Sequence, residues 1–389
     1  MITEVVNIND LAFKQDVVDA GGKIYSVGGK VRDDFLGKDS KDLDILITGV
    51  PFETLEQILA KYGTVNNVGK SFGIIKFKHF NDDEEIDIAL PRTEKKTDAG
   101  YQGFEVTSDH GLPIEQDLAR RDFTINSIAR DSGGNIIDPY NGVQDLKDKI
   151  IRVTNPDAFA EDPLRMLRAV QFAARFDFTI EPVTLKLIQD NAAKIKEISP
   201  ERILIEFDKI VTKGDPIAGI YWLNNTLLFQ HIFGVQFVGK YTEDFLDVNN
   251  MAEFIYACLH RTTINPSTYY KQVLKGDNDT VNNIRALEYL DKIGDNVAYN
   301  RLIASIMYKL SPNIANSEFI PDNLRGIFKS FVHGIYPSSI SQLAINGNDL
   351  IAKGLVGAQI RDMQNSILAA IYSNKLKNDK DDILNFVEN

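Results

Sequence analysis

The chain has 389 residues, a length that points to two or more packed units rather than one small domain. Lys and Arg number 43 against 55 Asp and Glu, a net charge of −12, which excludes broad nonspecific attraction to polyanions and requires any nucleic-acid site to be a local basic patch. The one cysteine, Cys258, excludes an intramolecular disulfide and a four-cysteine zinc site, and fits a reducing compartment such as the cytoplasm. Residues 1–10 have no basic start leading into an apolar core, and no uncharged apolar stretch is long enough to cross a bilayer, so neither secretion nor a membrane partner is expected.

In chain order, residues 23–27 suit a buried strand, the pair Gly28-Gly29 follows, and residues 30–36 suit a short helix. A second strand is expected over 43–48, a helix over 52–62, and strands again over 73–79 and 85–90. The first part is therefore a small mixed sheet with helical cover. Between residues 92 and 117, Gly100, Gly103, Gly111 and Pro113 stand among charged residues, which favours a loop that orders on binding. Asn155-Pro156 marks a boundary, and Asp162-Pro163 offers a helix cap with proline at the first helical position, ahead of a long helix reaching about Phe176. From Pro182 onward the pattern is helical, with Ser199-Pro200-Glu201 as another helix start, so an all-α half is expected. Residues 374–382 read as a frayed polar segment, and no repeat of fixed period occurs.

Asp42 and Asp44 are two apart, so on a strand both carboxylates share a face and repel unless a cation such as Mg2+ or a cluster of donors offsets them. Asp-x-Asp in a solvated turn is the commoner occurrence, so the spacing needs its context. Upstream, Gly28-Gly29-Lys30-Val31-Arg32-Asp33 combines unobstructed backbone amides with a cation suited to phosphate, although a tight turn with a surface Arg fits as well. Downstream, Asp87 is either a third carboxylate from a neighbouring strand or an exposed strand-face residue.

The Gly28 to Asp33 run followed by Asp42-Leu43-Asp44 resembles the signature of the DNA polymerase β-like nucleotidyltransferase superfamily. More narrowly, the sequence is similar to the bacterial class II tRNA nucleotidyltransferase and poly(A) polymerase family. The later runs Ala89-Leu90-Pro91-Arg92-Thr93-Glu94, Arg120-Arg121-Asp122-Phe123-Thr124-Ile125-Asn126, Glu161-Asp162-Pro163-Leu164-Arg165 and Ser199-Pro200-Glu201-Arg202-Ile203 agree in order and type, over residues 24–210. The resemblance implies an α/β catalytic head over 1–153, a helical neck over 154–225, and a helical body and tail over 226–389 that grips tRNA. It implies CCA addition to tRNA from CTP and ATP by two-metal phosphoryl transfer, with Mg2+ as cofactor and no protein partner.

By the same resemblance, Asp42 and Asp44 hold both metals, and Gly28, Gly29 and Arg32 meet the triphosphate; Asp87 joins them as a further catalytic carboxylate on the strength of its strand position. Arg121, Asp122 and Asn126 meet the triphosphate and the ribose 2′-hydroxyl; in isolation that segment reads as a helix start with solvated arginines. Asp162, Arg165 and Arg168 recur every three residues along one side of a helix, and an acceptor-only carboxylate beside a donor-only guanidinium matches the edge of a base. An ordinary i,i+3 salt bridge, worth ~0.2–0.5 kcal/mol, is compatible with that role. Glu201 and Arg202 brace the preceding helix, and residues 92–117 help to switch the pocket between nucleotides. Gln171 departs from the family, whose bacterial members commonly carry a further Arg there, and this bears on phosphate contacts and on the preference for ATP and CTP. Poly(A), CC-only or A-only addition shares all of these motifs. A phosphohydrolase is disfavoured because none of the five histidines precedes an Asp, and a non-catalytic RNA-binding protein is disfavoured because both Asp42 and Asp44 are present.

Overall fold

The computed structural model describes residues 8–38, 44–66, 73–81, 85–96, 104–159, 161–239 and 248–388. In the head, α1 (Lys14–Asp19) precedes β1 (Lys23–Val27), and the Gly-Gly turn leads into α2 (Gly29–Phe35). Next come β2 (Asp44–Thr48), α3 (Phe52–Leu59), β3 (Gly63–Asn66), β4 (Ile74–His79) and β5 (Glu85–Ala89). β6 (Arg92–Lys96), β7 (Phe104–Ser108), α4 (Ile114–Ala119), β8 (Ala129–Asp131) and β9 (Ile136–Ile137) follow. Seven strands form one sheet in the order β3-β4-β5-β2-β1-β8-β9, with β2 and β5 parallel and the other neighbours antiparallel.

Alternation along the central strands builds two cores. Ile24, Ile45, Ile47 and Ile88 pack with Phe13, Val17, Leu55 and Phe77 on one face, whereas Tyr25, Val27 and Leu46 pack with Ile114 and Leu118 on the other. Ile45, Leu46 and Ile47 are at most 1% exposed, and burial of each is worth about 1.5–3 kcal/mol. A one-residue slip of β2 would turn all three to the wrong face, so the register is strongly held. Asp44, two residues before Leu46, is thereby held on the second face.

The segment expected to be a loop is instead partly paired. β6 and β7 form an antiparallel hairpin with Arg92 opposite Ser108, and α4 follows. The strand Arg92-Thr93-Glu94-Lys95-Lys96 has no alternating apolar residues, so its pairing leaves no period-two signal to read.

α5 (Gly142–Lys147), β10 (Ile150–Ile151) and α6 (Pro156–Phe159) lead to α7 (Leu164–Phe176), which closes at the expected residue with Asp177 in the left-handed conformation (φ 58°). β11 (Thr179–Ile180) pairs in parallel with β10, and α8 (Pro182–Asn191), α9 (Pro200–Lys213), α10 (Pro216–Asn225) and α11 (Leu228–Phe233) follow. α7 is buried nearly all round; Arg165, Arg168 and Arg175 are its only residues that are not.

The chain divides into two compact units, Met1–Glu206 with Tyr221–Gln236, and Phe207–Ile220 with Phe237–Asn389. In the second unit the described residues from 248 on form helices, among them Met251–Leu259, Asn278–Leu287, Val297–Leu310, Asp322–Val332 and Ala358–Tyr372. Leu287, Met307, Leu324, Phe328, Ile367 and Tyr372 centre their core. Asn250, Asn265, Asp277 and Asn296 each accept the backbone N–H three residues on, and Asn346 forms a capping box with Asp349, so side-chain caps set where these helices begin. Residues 374–382, expected to fray, are docked. Asn374 accepts from Arg301 and Tyr336, Lys380 pairs with Asp349 at 2.8 Å, and Ile383 of the last helix, Lys380–Glu388, is fully buried. Among the described residues no helix is long and apolar enough to cross a membrane.

Candidate active site

The strand register brings the carboxylates together. Asp44 is the direct partner of Asp87 on the parallel strands β2 and β5, so both open onto one cleft above the sheet. Lys76 on β4, in register with Asp87 on the other side, reaches it at 3.2 Å and also pairs with Glu85, which raises the lysine's pKa. Asp42 lies outside the described residues. Among the described residues no group of three His, Cys, Asp or Glu side chains stands ready for a metal ion. Asp44 beside Asp87 still offers hard carboxylate oxygens from adjacent strands, a donor set suited to a hard divalent cation.

The cleft, about 950 Å³, is lined by Asp44, Asp87, Asp122 and Asp162 and by seven arginines, Arg32, Arg92, Arg120, Arg121, Arg165, Arg168 and Arg202. Among the described residues, seven cations against four anions make this a local basic site in an acidic chain, which fits a polyanionic ligand. Gly28 and Gly29 form part of its floor. Gly28 has φ 62° and ψ −122°, a region costly for residues with a side chain, and a Cβ there would lie 2.5 Å from Nη1 of Arg121. At Gly29 a Cβ would meet only ordinary contacts, 3.6 Å from Arg32 Nη2 and 3.8 Å from Asp44 Oδ2, so that glycine keeps open the space between cation and carboxylate.

Arg32 is held from several directions. It is 5% exposed, donates to Asp33 Oδ1 at 2.8 Å and to Asn126 Oδ1 at 2.6 Å, and stacks on the rings of Phe172 and Phe176 at 5.3 and 4.8 Å. Burial draws its pKa down, opposed chiefly by Asp33, and a guanidinium in this setting remains a cation. Asn126 both accepts and donates: its Oδ1 accepts a hydrogen bond from Arg32 Nη1, and its Nδ2 donates one to Asp122 Oδ1 at 2.9 Å. Asp122 also accepts from its neighbour's backbone at Phe123 and, on Oδ2, from Arg168 Nε at 2.8 Å. Burial pushes the Asp122 carboxyl up, but Arg168 and Asn126 more than offset this and hold it below the usual carboxylate value.

The base-reading stripe expected on one helix takes a different form. α7 begins at Leu164, with Pro163 in the preceding turn, so Asp162 stands just ahead of the helix and its carboxylate accepts the Leu164 N–H at 3.2 Å. The proline moves the helix start two residues past the acid. Arg202 on α9 lies 3.8 Å from Asp162, Arg165 donates to the backbone carbonyl of Arg120 at 2.7 Å, and Arg168 holds Asp122. All of these still line the cleft. Arg202, expected only to brace a helix, is thus also part of the cleft wall, and Arg92 and Arg120 line it too. No spacing rule ties Arg202 to Asp162 across so many residues; the folded arrangement of α7 and α9 does. Gln171 points into the packed interior at 1% exposure, with its Nε2 donor lacking a hydrogen-bond partner among the described residues, and it does not line the cleft.

A sheet with strand-borne carboxylates, a Gly-Gly turn and an arginine-lined cleft defines a poly(A) polymerase-type nucleotidyltransferase head. The family described as Poly A polymerase head domain matches residues 24–152, and the one described as Probable RNA and SrmB- binding site of polymerase A matches residues 177–236. The chain belongs to the class II CCA-adding enzyme family: it is 31% identical to the CCA-adding enzyme of Pediococcus pentosaceus over 97% of this chain and 96% of that one. It is also 42% identical to the Multifunctional CCA protein of Nitrosomonas europaea, over 52% of this chain and 47% of that protein, so it spans about half the length of that relative. Among solved structures, an apo form of a CCA-adding enzyme superposes with a TM-score of 0.72 at 25% identity, covering 99% of this chain and 96% of that one. The Thermotoga maritima CCA-adding enzyme complexed with tRNA shares the fold, with a TM-score of 0.68 at 24% identity, covering 99% and 96%. Membership of this family implies a divalent metal ion.

Proposed function

We propose that this protein is a tRNA nucleotidyltransferase that adds CCA to the tRNA 3′ end from CTP and ATP and releases pyrophosphate. The observation that carries the reading is one cleft holding Asp44 in register with Asp87 opposite a wall of seven arginines. Likeness over nearly the full length to the Pediococcus pentosaceus CCA-adding enzyme supports the choice of tail. Asp42, Asp44 and Asp87 would hold Mg2+, which when bound supplies charge neutralisation at the triphosphate and lowers the pKa of the attacking 3′-hydroxyl. Gly28, Gly29, Arg32 and Arg121 face the triphosphate, and Asp122 with Asn126 faces the ribose, where the two keep each other and their arginines oriented. Asp162 presents acceptors and Arg165 donors to the base, with Arg165 anchored on the Arg120 carbonyl and Arg168 on Asp122. In this reading residues 1–153 are the catalytic head, 154–225 the neck, and 226–389 the tRNA-gripping body and tail of a cytoplasmic enzyme.

The test supplies purified protein and Mg2+ with tRNAs ending before CCA, after C and after CC, one nucleotide at a time. CMP and AMP are incorporated, GMP and UMP are not. Incorporation of AMP alone onto any RNA would overturn CCA addition in favour of polyadenylation.

A further inference from the structure

Asp117 has no assigned part in this site, yet it is the most deeply buried acid near it, with a fully inaccessible side chain in the middle of the short helix α4. Its carboxylate is shared between two guanidiniums. Arg120 donates to Oδ1 through Nε at 2.9 Å and Nη2 at 2.7 Å, and Arg121 donates to Oδ2 through Nε at 3.3 Å and Nη2 at 3.1 Å. Both arginines line the cleft, and the outward Nη1 of Arg121 lies against Gly28, where a Cβ would come within 2.5 Å of it. Burial pushes the Asp117 carboxyl up, and the two cations bring it below its ordinary value, so the group is an anion at neutral pH. A buried carboxylate that orients two adjacent like charges overcomes their mutual repulsion and fixes both forks in place before any ligand arrives.

Resting on the nucleotidyltransferase reading, we propose that Asp117 is a positioning residue that aims Arg120 and Arg121 at the triphosphate beside the Gly-Gly turn. The charge arithmetic makes this testable. Asp117→Asn adds one unit of positive charge near the cleft, so if attraction alone mattered the variant would bind triphosphate more tightly. If aim matters, it binds more weakly, because the asparagine amide turns a donor toward one of two donor-only guanidiniums.

Affinities of the wild-type protein and of Asp117→Asn for CTP and CMP are measured by calorimetry with Mg2+, alongside kcat and KM for CMP incorporation onto tRNA. The expected result is a loss of about tenfold in CTP affinity, the scale of one charge-assisted hydrogen bond, with CMP affinity changed less than about twofold. KM for CTP rises more than kcat falls. Equal or tighter CTP binding by a folded Asp117→Asn overturns the proposal, as does an equal loss for CTP and CMP. Should that variant fail to fold, Arg121→Lys decides, since it keeps the charge and removes the fork: unchanged CTP binding overturns the proposal, and a CTP-selective loss supports it. Wild-type protein that binds no CTP overturns the functional reading itself and this inference with it, whereas wild-type binding and incorporation matched by Asp117→Asn overturn the inference alone.

Discussion

Replacing Asp122 by Asn tests the polar chain that runs from α7 to α2. The native carboxylate accepts on Oδ1 from Phe123 N at 2.8 Å and Asn126 Nδ2 at 2.9 Å, and on Oδ2 from Arg168 Nε at 2.8 Å. Asparagine keeps one oxygen and turns an NH2 group toward a remaining donor, so either Asn126 or Arg168 loses its acceptor. One charge-assisted bond is worth about 1.5–3 kcal/mol. Arg168 has a 32% exposed side chain, so solvent screening sets the loss at about 2 kcal/mol, within that range. With a urea slope of about 2 kcal/mol/M, the midpoint should fall by about 1 M. The folded Asp122 carboxyl titrates below its ordinary value, so its stabilisation is complete above the unfolded value of about 3.9 and is lost as pH falls through the folded one. The difference in midpoint between wild type and variant should therefore be flat from about pH 5 to 8 and shrink below about pH 4. An unchanged midpoint at neutral pH, or a difference that widens on acidification, would refute the reasoning.

Asp44→Ala, Asp87→Ala and Asp42→Ala should each abolish or severely reduce incorporation of CMP and AMP, and the first two should leave stability to urea within about 0.5 kcal/mol, because Asp44 and Asp87 are exposed; full activity in any one removes that residue from the catalytic set. Arg165→Ala should relax selection against GTP and UTP as well as slow the reaction, measured by incorporation of each nucleotide, and a slower enzyme of unchanged selectivity would contradict the base-reading role. Ile383→Ala should cost about 2 kcal/mol, the low end for an aliphatic core truncation, because the helix it anchors can detach on its own. Proteolysis near residue 378 that is no faster than in wild type would count against that docking.

Much of the site was legible because period-two and helical spacing carry through to the structure. β1 and the end of α7 fall where apolar spacing puts them, and Asp44 follows from Leu46 on the same face. What spacing does not encode is which strands neighbour one another: Asp87 could be read as a strand residue, but its register with Asp44 depends on a parallel pairing between strands separated by two others in the chain. The hairpin of β6 and β7 leaves no period-two signal because its first strand is polar throughout. Asp162 fits both a helix cap and a stripe three residues before Arg165; the structure keeps the cap, with its carboxylate on the Leu164 N–H, and the helix starts one residue past Pro163. Asp117 carries no signal in the sequence because an acid three and four residues ahead of two arginines is common on helix surfaces, and only its complete burial sets it apart.

The stacked rings of Phe172 and Phe176 carry a consequence for how variants of this protein will behave. Phe172 lies under both Arg32 and Arg168, and Phe176 under Arg32, Lys38 and Arg175, with the ring planes nearly parallel at 10°. Four cations are thus seated on two neutral hydrocarbon plates one helical turn apart. Erosion of either plate would loosen charges contributed by both α2 and α7, so a change from one uncharged residue to another would present, in salt dependence and substrate affinity, as if a positive charge had been lost.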